Sequence, residues 1–312
     1  MEMIASSTPA THAMPRLALG PPLYYWPRAT MFAFYEAMAD TALDIVYLGE
    51  TVCSRRHELR LADWLAIARS LRNAGKEVVL STQVLLESGG DVSTMHKVTG
   101  NGDFIVEAND MGAVRQLAGH VPFIAGPHLN IFNADTLRLF AQWGATRWVM
   151  PLEMNRDDLA TLQAERPASL ATEVFAFGRL PLAFSARCFT ARHLDLPKDD
   201  CRFSCLAHPD GLLMKTREGE DFLVLNGIQT QSSRVYNLLA DMPDLTRLRV
   251  DVLRLSPQSS NMAGIIDLFD AARHEATGAG RALADACALQ VAPACNGYWH
   301  GRPGLDHVVQ TL

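Results

Sequence analysis

The sequence predicts an α/β protein, a (β/α) TIM-barrel-like single domain with irregular cysteine-bearing loops. Three observations predict it. Short apolar runs alternate with helically spaced segments from residue 17 to about residue 275, with short connections. The runs are continuously apolar, as parallel strands covered on both faces require. No Gly-x-Gly-x-x-Gly follows any of them, which disfavours a dinucleotide-binding open sheet and points to a barrel of about eight strands.

The elements follow in order. Residues 17–26 read as a first strand interrupted by Pro21 and Pro22, and residues 28–41 as a helix with Met31, Phe34, Tyr35 and Met38 on one face. Residues 43–50 are the second strand. A loop with Cys53, Arg55, Arg56 and His57 leads to a helix marked by Leu61, Trp64, Leu65, Ala68 and Leu71, which ends at Gly75. Strands are expected at 78–83, 104–107, 123–126, 147–150 and 173–177. Helices are expected at 92–99, 110–118, 134–143 and 156–165, the second of them capped by Asp110. Past the cysteine region, 212–215 and 222–225 form a hairpin around Glu218-Gly219. A helix at 232–241, a strand at 248–255 and a helix at 261–274 resume the alternation.

Bulk properties narrow the class. The 312 residues, 48% hydrophobic and 20% charged, suit a globular protein with a sizeable core. Length alone suggests about two domains, but no linker or repeat interrupts residues 17–275, so 17–312 reads as one domain. Residues 1–16 lack an apolar signal core and read as a disordered N-terminal extension. No apolar run is long enough to cross a membrane. The net charge of -6 supplies no drive toward nucleic acid or anionic membranes. Six cysteines without a secretory signal indicate a reducing, cytoplasmic compartment, where grouped cysteines favour metal or catalysis over disulfides.

Cys188, Cys201 and Cys205 form a C-x12-C-x3-C group, and Cys53 stands far upstream. In a parallel barrel the loops after the strands emerge on one face, so Cys53 and Cys188 can meet there. Four thiolates suit an iron–sulfur cluster. Tetrahedral zinc also accepts four, but it usually takes paired C-x2–4-C hairpins, and only Cys201 and Cys205 approach one. The competing reading makes Cys53 and Cys188 buried core residues. Cys287, in an Ala-rich stretch, reads as core. Spacing alone leaves Cys295 able to replace Cys53 as the fourth ligand. Arg187, Arg192 and His193 are expected to lend the cysteine loop positive charge, which favours thiolates.

Glu50, Gln83, Glu107, His128, Asn130 and Glu153 fall at or just past strand ends, where barrel sites collect. Glu50, His128 and Glu153 are the catalytic candidates. Each has a structural alternative: Glu107 within a helix-capping loop, His128 as a satisfied loop histidine. Tyr24-Tyr25-Trp26 reads as core. No Gly-x-Ser-x-Gly or His-Glu-x-x-His is present, which counts against a serine hydrolase or a zincin.

Four segments carry a resemblance. They are Tyr47-Leu48-Gly49-Glu50-Thr51-Val52-Cys53-Ser54, Phe184-Ser185-Ala186-Arg187-Cys188-Phe189-Thr190-Ala191-Arg192, Leu225-Asn226-Gly227-Ile228-Gln229-Thr230 and Cys295-Asn296-Gly297-Tyr298-Trp299. The chain resembles the UbiV-like branch of the collagenase-like peptidase superfamily from about residue 17 to about residue 300. That resemblance implies a [4Fe-4S] cluster on Cys53, Cys188, Cys201 and Cys205, which leaves Cys295 out. It implies a UbiU-like protein as heterodimer partner and a sterol-carrier-like accessory lipid-binding protein. It implies a role in oxygen-independent hydroxylation of polyprenylated aromatic rings in ubiquinone biosynthesis. RNA hydroxylases of the superfamily use prephenate as oxygen donor, which makes prephenate a candidate here. Two other classes stay open: a metal-dependent peptidase-like hydrolase, and a non-catalytic iron–sulfur subunit that relays electrons to its partner or stabilises it.

Overall fold

The computed structural model describes residues 14–274 and 279–309, with the side chains of 279–282 left aside. Eight parallel strands close a barrel. They are β1 (Arg16–Leu19), β2 (Ile45–Leu48), β3 (Glu77–Ser81), β4 (Ile105–Ala108), β5 (Phe123–Ala125), β6 (Ala145–Val149), β7 (Ala171–Phe184) and, later in the chain, β11 (Val252–Leu255). Each pairs with its predecessor, and β11 closes the ring by pairing with both β7 and β1. The expected barrel is therefore present.

Helices α1 (Arg28–Ala39), α2 (Leu61–Asn73), α3 (Gly89–Thr99), α4 (Met111–Leu117), α5 (Ala134–Gln142) and α6 (Arg156–Glu165) cover the outside. Their starts are written in the sequence. Ser88 and Asp91 make a capping box on α3, and the side chains of Asp110, Asn133 and Asn155 accept first-turn N–H groups of α4, α5 and α6. The main core lies between barrel and helices. Met31, Tyr35 and Met38 of α1 and Trp64, Ile67, Ala68 and Leu71 of α2 are buried in it. Each fully buried large side chain contributes about 1.5–3 kcal/mol.

A second layer grows out of the barrel wall. After β7 come α7 (Phe189–His193), β8 (Leu212–Lys215), β9 (Asp221–Asn226) and β10 (Gln229–Asn237). Strand β10 runs antiparallel to the upper half of β7 and to β9, so β8–β9–β10 form a flap continuous with the barrel sheet. The chain then passes α8 (Met242–Arg247), β11, α9 (Met262–His274), α10 (Ala279–Leu289) and β12 (Ala294–Cys295), which pairs with β10.

Several expectations are corrected. Residues 232–241 were expected to be helical, but 229–237 are β10, because the long β7 offers a backbone edge that outweighs local spacing. Strand β7 runs for 14 residues rather than stopping at 177. The first strand ends at Leu19, since Pro21 and Pro22 lack N–H donors for the ladder. It begins at Arg16, one residue before the expected start, and Arg16 Nη1 meets Glu77 Oε2 at 2.6 Å. The expected extension otherwise falls on residues 1–13, outside the described residues. Helix α8, with Pro243 in its first turn, ends at Arg247, and residues 248–251 lead on from it by a turn, so the expected strand at 248–255 begins only at Val252. The Ala-rich tail contains α10, and Cys287 on it is exposed rather than core.

The barrel strands bury a small apolar cluster of Ala18, Ile45, Tyr47, Val79, Ile124, Val149 and Val252, and beside it a set of charged side chains. Glu107 of β4 and Glu173 of β7 are fully buried. Arg254 of β11 donates from Nη2 to Glu107 at 2.7 Å and from Nε to Glu173 at 2.6 Å. Arg147 Nη1 donates to the Tyr47 hydroxyl at 2.9 Å, and that hydroxyl donates to Glu173. Glu107 is thus a barrel-lining strand residue and no part of a helix cap, a role Asp110 fills.

Candidate four-cysteine site

Three segments bring Cys53, Cys188, and Cys201 with Cys205 to the wall of one cavity of about 20 Å³, at the top of the barrel beneath the flap. Cys53 lies on the loop after β2. Gly49 turns that loop at φ +134, and a Cβ there would stand 2.6 Å from the Ser81 carbonyl oxygen, so only glycine fits. Glu50 Oε1 then accepts the N–H groups of Val52 at 2.9 Å and Cys53 at 3.0 Å. Cys188 caps α7, its Sγ accepting the Ala191 N–H at 3.4 Å.

Helix α7 is held by the hairpin turn between β9 and β10. The Gly227 carbonyl accepts the Phe189 N–H at 2.7 Å, and the Gly227 N–H donates to Thr190 Oγ1 at 2.9 Å. The turn has glycine in the left-handed region at its first position, as two-residue hairpins favour. Cys201 ends the 3₁₀ turn Lys198–Asp200 and Cys205 lies within the 3₁₀ turn Ser204–Ala207; between the two cysteines Arg202 and Phe203 both sit at positive φ, 50° and 51°. Two successive left-handed non-glycine residues cost about 1–3 kcal/mol each.

The site carries a buried cation. Arg56 is 3% exposed and lies beside Cys205. It donates to the Leu23 carbonyl at 2.8 Å and to Asn226 Oδ1 at 2.7 Å, and it stands 3.6 Å from Glu50. Burial pushes the Cys53 thiol up to about 11, against the pull of a backbone hydrogen bond and of Arg56. Burial also raises the Cys205 thiol, with Arg56 opposing it. The expected positive residues Arg187, Arg192 and His193 are exposed and do not line the cavity; Arg55 and Arg56 do. Arg55 ties the Cys53 loop to the cysteine group by donating to the Asp199 carbonyl at 2.6 Å. Sequence reading placed Arg56 in the right loop but assigned it no role, since its partners Leu23 and Asn226 lie far away in the chain.

Four cysteine residues line one cavity, none of them in a disulfide, with Arg56 beside them; four thiols are the kind of donor set that holds a cluster. A cavity of this size holds about one water, so a cluster enters only if the walls part. Among the described residues no three His, Cys, Asp or Glu side chains are arranged to hold a single metal ion. Cys295 is fully buried, pairs with Tyr236 across β12 and β10, and does not line this cavity.

The other candidates scatter. Glu50 and Gln83 line a separate cavity of about 670 Å³ between α2 and α3. His128 lines a third, of about 30 Å³, at the barrel mouth with Glu107, Asn109 and Arg254, and its ring meets Phe184 edge-on at 5.0 Å. Burial, then the Arg254 charge, push the imidazole down to about 3. Glu153 and Asn130 are exposed and line none of these cavities. The catalytic candidates Glu50, His128 and Glu153 are therefore not brought together. Tyr24, Tyr25 and Trp26 are buried, as expected of core.

A model of peptidase family U32 matches residues 30–300 of the chain. Among solved structures the chain is similar to the U32 peptidase Mk0906, at 12% identity over 83% of this chain and 97% of that one, with a TM-score of 0.45. It is similar to the spore cortex-lytic enzyme SleL of Bacillus megaterium, at 9% identity over 84% and 75%, TM-score 0.43. It is also similar to the 7,8-dihydropteroate synthase of Vibrio fischeri, at 10% identity over 89% and 100%, TM-score 0.39. No helix among the described residues is long and apolar enough to cross a membrane.

Proposed function

The chain belongs to peptidase family U32, and from that premise we propose that it is the iron–sulfur subunit of a UbiU–UbiV-type heterodimer. In this reading it supports oxygen-independent hydroxylation of polyprenylated phenols in ubiquinone biosynthesis, with a [4Fe-4S] cluster on Cys53, Cys188, Cys201 and Cys205. The single observation that carries the reading is that Cys53, from the loop after β2, lines one cavity together with the three cysteines of residues 188–205.

A bound cluster supplies electron transfer or an iron that polarises a substrate oxygen. The protein's own residues do the rest. Arg56 places a fixed positive charge beside Cys53 and Cys205, opposing the burial that raises both thiols. Glu50 holds the Cys53 backbone in place. A UbiU-like partner, an accessory sterol-carrier-like protein and prephenate as oxygen donor complete the scheme.

A hydrolytic role has less support. Glu50 is engaged by Arg56 and two N–H groups, His128 lies in another cavity, and Glu153 is on the surface.

The test is metal analysis of protein purified without oxygen, alone and co-expressed with a UbiU-like partner. The reading expects roughly four irons and four acid-labile sulfides per chain, lost in Cys188→Ala. About one zinc without sulfide, or proteolysis by the isolated chain, overturns it.

A further inference from the structure

We propose that the Lys198–Glu87 ion pair is the latch of a lid, residues 195–208, through which the cysteine cavity opens to a cluster. The purpose of the lid rests on the cluster reading above; its mechanics do not. Cys201, Phe203, Ser204 and Cys205 form one wall of the cavity, and Phe203, 36% exposed, shows that this wall also faces solvent. The wall is weakly tied by its backbone. Among the described residues, each N–H from 197 to 208 that reaches a backbone carbonyl reaches one inside the segment, as Asp200 does with Pro197, Ser204 with Cys201 and His208 with Cys205. The walls around the other two cysteines differ. The Cys53 loop is bonded to Glu50 and, through the Thr51 carbonyl, to the Val84 N–H at 3.0 Å, and Cys188 leads into α7 on the flap turn.

Side chains hold the lid shut. Lys198 Nζ donates to both carboxylate oxygens of Glu87 and, at 2.7 Å, to the Ala186 carbonyl. Both partners stand on fixed segments. The Glu87 N–H donates to Asp91 at 2.9 Å at the start of α3, and Ser185, next to Ala186, donates its N–H to the Ile228 carbonyl at 2.9 Å. Arg55 adds one bond to the Asp199 carbonyl, and Arg56 lies beside Cys205. Phe203 packs on Tyr25 at 6.0 Å and on His57 at 6.5 Å. Of these ties the Lys198–Glu87 pair is the one that joins opposite charges. Its side chains are 26% and 27% exposed, so salt reaches the pair and weakens it.

The test follows Cys53, which is no part of the lid and is 8% exposed on another wall of the cavity. In the full chain, freed of iron and with its thiols reduced, alkylation of Cys53 by iodoacetamide is timed by peptide mass. Cys295, fully buried elsewhere, is the internal control. Lys198→Met and Glu87→Gln are each expected to raise the Cys53 rate about tenfold, the worth of one charge-assisted hydrogen bond, and to leave Cys295 unchanged. Added salt is expected to raise the Cys53 rate in the unaltered chain and to leave it unchanged in Lys198→Met. An unchanged Cys53 rate in both variants, or an equal rise at Cys295, overturns the latch. In protein purified without oxygen, both variants are expected to give up iron to a chelator about tenfold faster than the unaltered chain, from equal starting iron. Faster alkylation with unchanged iron loss overturns the lid as the route of the cluster. Absence of iron from the unaltered chain overturns the cluster reading, while the alkylation rates still decide the latch.

Discussion

Arg56 Nη1 stands 3.6 Å from Glu50 Oε1, and the arginine side chain is 1% exposed against 18% for the glutamate. The pair fixes the loop that carries Cys53. Arg56 relies on Glu50 for its counter-charge, while Glu50 spends the same oxygen on two backbone N–H groups. Replacing Glu50 with Gln leaves the guanidinium buried and without a counter-charge. Removing one partner of a buried pair costs about 3–5 kcal/mol, and the partial exposure of Glu50 places this case at the lower end. Urea unfolding of Glu50→Gln measures it; an unchanged midpoint would refute the pairing.

Arg254 is the second charged anchor, and it serves two fully buried carboxylates, Glu107 and Glu173. Arg254→Met removes the Glu107 ion pair and leaves Glu173 with the Tyr47 hydroxyl and Arg147 at 3.6 Å, and is expected to cost about 3–5 kcal/mol or to prevent folding. Arg254→Lys keeps the charge but loses the fork that reaches two partners, so a loss of about 1–3 kcal/mol is expected. Equal stability of the lysine variant and the parent would mean that the fork carries no weight.

The cysteines divide into two sets. Cys295→Ala and Cys287→Ser should retain iron, because neither side chain lines the four-cysteine cavity. The first costs about 1–2 kcal/mol through lost packing, the second less than about 0.5 kcal/mol. Cys53→Ala should lose iron. Iron retained in Cys53→Ala and lost in Cys295→Ala would exchange their roles.

His128 gives a pH signature. Its imidazole is held down to about 3 in the folded chain, against about 6.5 when unfolded. Between those values the unfolded chain binds the proton and the folded chain does not. The contribution of neutral His128 is therefore complete above about pH 6.5 and is lost as pH falls toward 3. Urea midpoints at about pH 7, 5.5 and 4 should fall less steeply in His128→Asn than in the parent. Parallel slopes would show that the imidazole titrates alike in both states.

Gly49 is a backbone requirement. Gly49→Ala sets a Cβ 2.6 Å from the Ser81 carbonyl oxygen at φ +134. A loss of about 2–4 kcal/mol is expected, with the Cys53 loop displaced. Thermal unfolding checks the first part and iron content the second.

The barrel was legible because its strands are mostly apolar and its helix caps local: Ser88, Asp110, Asn133 and Asn155 announce helices by short-range chemistry. The segment from β8 to β10 was half legible. The hairpin around Glu218-Gly219 shows in its turn residues, whereas β10 depends on a partner edge some 50 positions away, as the Gln229–Phe184 and Val235–Arg179 pairs show. Convergence of the four cysteines followed from barrel geometry plus resemblance. Arg56 as the site's cation, Lys198 as the partner of Glu87 and the internal Glu107–Arg254–Glu173 cluster did not, because each is defined by tertiary neighbours. Glu153 and Asn130 show the converse: position just past a strand end does not direct a side chain inward.

Strand β7 is one unbroken backbone from Ala171 to Phe184, with its lower half in the barrel wall and its upper half under the flap. It works as a girder. The flap cannot swing on a hinge at that junction without tearing the β7–β10 ladder, so Cys188, just past the girder's end, keeps a nearly fixed height above the barrel. Any door into the cysteine chamber is therefore the stretch from Asp195 to His208, which is built of single turns and carries three of its residues, Asp195, Arg202 and Phe203, in left-handed backbone. Two thiols stand on the frame and two ride on the door.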